Sequence, residues 1–135
     1  MNKMVAAIFI FLLVPTAVAC DTPWQPCWYG QASAANTCSG DIVLLSAYDA
    51  KQVLSARPEL RLPTQAELES FLLTEHAAKL RALAENVETF QVLTSGFVQH
   101  GNEFLATTVD IRHGRVELSA WRKPTLVILR QATMN

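Results

Sequence analysis

The chain has 135 residues, 50% of them hydrophobic, with 11 basic and 12 acidic side chains and a formal charge of −1 at pH 7. That length supports one domain with one core, hardly two. So even a charge balance excludes a general nucleic-acid binder, which gathers Lys and Arg on one face.

Met1-Asn2-Lys3 places one positive side chain ahead of an uncharged apolar run, Met4 to Val14, which Pro15 ends. Ala17 and Ala19 are the small residues a signal peptidase reads, so residues 1–19 read as a secretory signal peptide and stand apart from the fold. A membrane-spanning helix needs about 20 apolar residues, and this run is shorter. The organisation is bacterial in style, with the periplasm or the cell envelope as the expected destination. About 116 residues follow Ala19, and without Lys3 they hold ten basic side chains against twelve acidic ones, a balance of −2.

Cys20, Cys27 and Cys38 all lie near the start of the exported chain. In an oxidising compartment pairing is expected, while zinc is not, because there is no CxxC and no histidine nearby. Cys20 is the natural odd one out, since it directly follows the small-residue triplet. Ala17-Val18-Ala19-Cys20 resembles a lipobox, where a bacterial lipoprotein is cleaved and its new N-terminal cysteine acylated. The same four residues also satisfy an ordinary Ala-x-Ala cleavage. The expectation is a lipidated Cys20, which leaves Cys27 and Cys38 as a disulfide. Ordinary cleavage would instead give a soluble protein with Cys20 free or bridged to another chain.

Residues 20–40 form a cysteine- and aromatic-rich arm, irregular or folded as a short strand pair. Trp24, Trp28 and Tyr29 are its densest aromatic cluster. Such rings can stack on a sugar, or they can cover the edge of a small core near a disulfide. Residues 41–135 read as one α+β unit. Ile42 to Leu45 is a short apolar run, and Ser46 with Asp49 reads as a capping box opening a helix to about Ala56, which Pro58 ends. Pro63 keeps Leu62 extended, Thr64 is an N-cap, and Glu67 stands at the third helical position, where it can reach back to the Thr64 N–H. Leu68, Phe71 and Leu72 form the buried stripe of that helix. A second stripe, Leu80, Leu83, Ala84 and Val87, continues the period, with Thr74 able to recap it.

From about Glu88 the period becomes that of strands. Phe90, Val92 and Phe97-Val98 begin it, and Glu103 to Thr108 continues it. Asp110 to Leu118 reads as a hairpin turning at His113-Gly114, with Val109, Ile111, Val116 and Leu118 alternating with charged residues so that one sheet face is wet. Thr125 to Arg130 reads as a strand buried in the middle of the sheet. Arg112, Arg115, Arg122, Lys123 and Arg130 face only Asp110 and Glu117 in this part of the chain. The first four make a candidate surface for an anionic polymer, or are the solvated faces of strands.

Residues 61–71, RLPTQAELESF, resemble the aromatic-Arg-Leu-Pro-Thr-x-x-Glu-Leu signature of a bacterial family of unknown function, DUF1566, also called the Lcl C-terminal domain. VDIRHGRVELSAWRKPTLVILRQ (109–131) is similar to its closing Val-Asp-Phe-x-x-Gly-x-Val pattern and final strand, and EFLATT (103–108) occupies the place of its Tyr-Trp-Ser-Ser-Thr. The similarity runs from about Cys27 to Gln131. It implies a C-type-lectin-like fold, two helical segments on an antiparallel sheet, and binding rather than chemistry. Leu60 stands where the family carries an aromatic residue, and Leu105 where it carries Trp. No Glu-Pro-Asn or Trp-Asn-Asp calcium motif occurs.

His76, His100 and His113 have no partner at metal-ligand spacing, and Gly-x-Ser-x-Gly is absent. The expectation is therefore a non-catalytic exported protein with no cofactor and no metal. Its ligand would be carbohydrate or another envelope polymer, approached through Trp24, Trp28, Tyr29, Arg112, Arg115, Arg122 and Lys123. The alternative is a structural lipoprotein or accessory subunit of a surface assembly, a pilus or secretion apparatus, with a protein partner and a lipid anchor in the membrane.

Overall fold

The computed structural model describes residues 22–132; the expected signal peptide and Cys20 lie outside them. In chain order the elements are β1 (Ala32–Ala34), β2 (Thr37–Ser39), α1 (Ala47–Ser55), β3 (Leu60–Arg61), α2 (Gln65–Phe71), α3 (Glu75–Leu83), β4 (Gln91–His100), β5 (Glu103–Asp110), β6 (Val116–Ala120) and β7 (Arg130–Gln131). All strand pairs among these elements are antiparallel: β1 with β2, β3 with β7, and β4–β5–β6 in order. The class is α+β. There are three helices rather than two helical segments, because the chain breaks at Leu72–Thr74 and Thr74 caps α3 by accepting the Ala77 N–H.

The helix starts are locally encoded. Thr64 Oγ1 accepts the Glu67 N–H at 3.1 Å, and Glu67 Oε1 accepts the Thr64 N–H at 2.9 Å, so the α2 capping box is complete. Ser46 accepts the Asp49 N–H at 3.0 Å to open α1. Only this half of the box forms there, since Asp is one methylene shorter than Glu.

Thr125 to Leu129 is the spine of the molecule, but not the central strand expected: Thr125 and Leu126 make isolated bridges to Leu45 and Val92, and regular pairing begins only at Arg130, with β3. Leu126, Val127, Ile128 and Leu129 are all buried, and extended geometry sends alternate side chains to opposite faces. Leu126 and Ile128 join one core with Leu68, Phe71, Leu80, Val92 and Val109; Val127 and Leu129 join another with Ala47, Ala50, Leu60, Leu93 and Ala106. Thus α2 and α3 cover one face and α1 the other, which is why the run is apolar throughout. The backbone is held from both sides: Leu93 N–H donates to the Leu126 carbonyl and Leu126 N–H to the Gln91 carbonyl, while Tyr29 N–H donates to the Val127 carbonyl, all at 2.9 Å.

The arm belongs to the same core. Trp28 is 3% exposed and its indole N–H donates to the Leu80 carbonyl at 2.8 Å. β1 and β2 turn at Ala35 and Asn36, whose φ values of 51° and 66° are those of a left-handed two-residue hairpin turn. Cys27 and Cys38 are disulfide-bonded, tying this hairpin to the start of the core. Among the described residues no helix is long and apolar enough to cross a membrane. A disulfide and no such helix fit an exported chain that does not span the bilayer through the described residues.

The hairpin near the end departs from its expected form. β5 and β6 are joined by residues 111–115 rather than by His113-Gly114 alone, because the Asp110 carboxylate gathers the Arg112 N–H at 2.7 Å and the His113 N–H at 3.3 Å. The alternation on β6 is also reversed. Val116 and Leu118 are 40% and 51% exposed while Ser119 is buried. The core on that face reaches Val92 and Val109 and stops short of β6.

Candidate functional site

β4 and β5 form a hairpin that turns at Gly101 with φ 66°, with β6 paired along β5 from Leu105 to Val109. The register pairs Gln99 with Phe104 and Phe97 with Ala106, so Phe97 and Phe104 are diagonal neighbours on one face. Trp121, just past β6, reaches the same face. Ring centroids are 5.8 Å apart for Phe97–Phe104, 6.1 Å for Phe97–Trp121 and 5.7 Å for Phe104–Trp121. Phe97 and Phe104 remain 56% and 43% exposed. Trp121 is only half-buried and packs against the α1-side core, so the two exposed phenylalanines extend an aromatic face that the core begins.

This triad borders a groove of about 540 Å³, walled by Phe97 and Trp121 on one side and by Lys51 and Leu54 of α1 on the other, with Leu62 and Thr64 at one end. A break in the β4–β5 register between Leu93 and Phe97 makes room for it. There Thr94 Oγ1 donates to the Thr107 carbonyl at 2.8 Å and accepts the Gly96 N–H at 3.0 Å, so the bulge is held from within. Lys51 forms no ion pair with any described residue within 4 Å. The groove offers apolar area and stacking, with the Lys51 ammonium, outside any ion pair among the described residues, in its lining.

Arg61 also lines this groove, and Glu67 and Arg130 line a second cleft behind it, about 500 Å³, between the arm and α2. Arg61 donates to both Glu67 oxygens at 2.8 and 2.7 Å. That fork, then the Thr64 N–H and the nearby Arg130, hold the Glu67 carboxyl down at about 2 although burial works the other way. Arg61 is held above its usual range by the same bond. Asp110 is pushed up by burial, yet the Arg112 side chain and the backbone N–H groups of Arg112 and His113 leave it lower overall.

The residues singled out from the sequence do not form one surface. Trp28 is in the core. Trp24 stacks on Phe71 at 4.1 Å between centroids and carries the Arg130 guanidinium at 4.8 Å, contacts that occupy the π-surface a sugar would use. Tyr29 packs against the α1-side core. Arg112 lies over Phe90 at 4.2 Å and Arg122 over Tyr48 at 4.1 Å. Arg112 and Arg115 precede the five residues of β6 and Arg122 and Lys123 follow them, so at about 3.4 Å per residue the two pairs sit roughly 15–20 Å apart. Phe97, Phe104 and Trp121 escaped notice as a group. The signal available was the Gly101-Asn102 turn, which fixes the register that brings 97 and 104 together.

The histidines are dispersed. His76 Nε2 is 3.0 Å from the Pro26 carbonyl, His100 ends β4, and His113 Nδ1 is 3.8 Å from Asp110 Oδ1. Among the described residues no three His, Cys, Asp or Glu side chains are grouped to hold a metal ion.

No family model, curated protein or solved structure matches this chain. Within the Arg61–Glu67 stretch one carboxylate closes the α2 cap, pairs with Arg61 and faces Arg130.

Proposed function

We propose that this is a non-catalytic binding domain of an exported, envelope-associated protein, and that it holds carbohydrate or a related envelope polymer in the groove beside Phe97, Phe104 and Trp121. The observation that carries this is the exposed aromatic triad, since flat rings at the edge of an open groove can stack against the apolar face of a pyranose. In this reading the chain is a divergent relative of the DUF1566 family with a lectin-like fold, anchored through Cys20 in the periplasm or envelope. The resemblance of residues 61–71 supports the first part and the Cys27–Cys38 bond supports export. A glycan array with the mature protein tests it. Saturable binding to a defined glycan set, lost in Phe97→Ala with the unfolding midpoint unchanged, is the expected result, and an array with no specific signal would overturn it.

A second reading has its own observation. The other face of the β4–β5–β6 sheet exposes Val98, Val116 and Leu118, in a register that sets Val98 beside Leu105 and Leu118 beside Thr107. An apolar sheet face beside the outer edge of β6 suits a protein partner, as an accessory subunit of a surface assembly would have. A single stoichiometric partner recovered from native envelopes, lost in Leu118→Lys, supports that reading; recovery unaffected by Leu118→Lys counts against it.

A further inference from the structure

The cleft between the arm and α2 contains a cation that its neighbouring carboxylate does not satisfy. Glu67 already accepts two bonds from Arg61 and one from the Thr64 N–H, and its single negative charge is matched by Arg61. Arg130 stands further off, with Nη2 3.7 Å from Glu67 Oε2, beyond hydrogen-bond reach. Its side chain is 16% exposed and its Nε is buried without a partner among the described residues. Glu67 is the one acid among the described residues that line the cleft. The guanidinium lies over the Trp24 ring at 4.8 Å, but a buried N–H without a partner still costs stability, and the planar fork matches a carboxylate in two parallel bonds.

The rest of the cleft narrows the class of ligand. One surplus positive charge suits a monoanion, whereas a phosphate dianion calls for more. Ala66 and the edges of Trp24 and Phe71 supply apolar wall, while Ser70 and His76 supply polar groups at the mouth. His76 Nε2 is engaged by the Pro26 carbonyl, which leaves Nδ1 for a hydroxyl. We propose that this cleft binds the carboxylate of an acidic sugar unit, with Arg130 as its charged partner and the ring lying against the apolar wall. The proposal rests on the reading of the domain as a glycan binder and adds a second subsite, separated from the aromatic groove by the Arg61–Glu67 pair.

D-glucuronate is the probe, with D-glucose and acetate as controls, titrated into the full mature protein while NMR follows the Trp24 indole and Arg130 Nε signals. Glucuronate should shift both saturably, and glucose and acetate should each bind at least about tenfold more weakly, since each lacks half of the recognition. Arg130→Gln should weaken glucuronate at least about tenfold, Arg130→Lys less, and Trp121→Ala in the other groove not at all. Acetate binding as tightly as glucuronate would reduce the cleft to a bare anion site and overturn the sugar assignment. Unchanged glucuronate affinity in a folded Arg130→Gln variant would overturn the role of Arg130. Should that variant fail to fold, Ser70→Trp, at an exposed position on the cleft mouth, tests the same claim by filling it. If glycans bind through Trp121 and glucuronate does not bind the cleft, only this inference fails; if no glycan binds at all, the functional reading fails with it.

Discussion

Glu67→Gln isolates the ion pair at the centre of the RLPTQAE stretch, because glutamine keeps the shape and can still accept the Thr64 N–H. The wild-type carboxyl is held at about 2 against an ordinary 4.5, first by the Arg61 fork. At about 1.4 kcal/mol per pKa unit the shift corresponds to about 3 kcal/mol. The side chain keeps 28% of its exposure, so solvent screening lowers the expectation to about 2 kcal/mol. The folded-state value is depressed, so this stability is fully present above the unfolded value near 4.5 and drains away as pH falls towards 2. Urea unfolding of both proteins between pH 7 and pH 2 measures it. Wild type should exceed Glu67→Gln by about 2 kcal/mol at pH 7, and the gap should shrink as pH falls below about 4.5 and nearly close at about pH 2. A gap that stays constant with pH, or never exists, would refute the assignment of this stability to the ionised carboxylate.

Thr64→Ala should lower stability by about 1 kcal/mol and Thr64→Ser should be nearly silent, as read from unfolding midpoints; loss of ligand binding at an unchanged midpoint would show a role at the site instead. Replacing Cys27 and Cys38 by Ser should cost about 3 kcal/mol by chain entropy, and two titratable thiols in the oxidised wild-type protein would contradict the bridge. Gly30→Ala should cost at least about 1 kcal/mol, since φ is +97° and a Cβ there would lie 2.5 Å from Val43 Cγ2; an unchanged melting temperature would contradict that geometry.

What the sequence discloses is what neighbours in the chain decide. The Thr64–Glu67 box and the Thr74–Ala77 recap each close between residues three apart, and the pairing of Cys27 with Cys38 follows from parity once Cys20 is set aside. The apolar run Thr125 to Leu129 declares itself a buried spine because both of its faces meet a core. The failures are tertiary. Val116 and Leu118 carry the alternation of a buried face, but nothing from α2 or α3 extends over β6, so they are exposed. His113-Gly114 has the composition of a tight turn, yet the Asp110 carboxylate organises a longer one. Trp24, Trp28 and Tyr29 are close in sequence, yet Trp24 and Trp28 join the core under α2 and α3 while Tyr29 packs against the α1-side core. Phe97, Phe104 and Trp121 are far apart in the chain and meet only once the β4–β5 register and the end of β6 are set.

The most direct measurement of the central claim is equilibrium titration of the mature protein with the glycan that the array identifies, carried out in parallel on Phe97→Ala, Phe104→Ala and Trp121→Ala. Phe97 and Phe104 are exposed, so their loss should change unfolding stability by less than about 1 kcal/mol, while Trp121, which also packs on the α1-side core, should cost about 1–3 kcal/mol without unfolding the protein. The groove account predicts that each variant weakens binding, by about 1–2 kcal/mol for the Trp, and that Trp24→Ala weakens it less. Full affinity in all three variants, with binding lost only in Trp24→Ala, would contradict it.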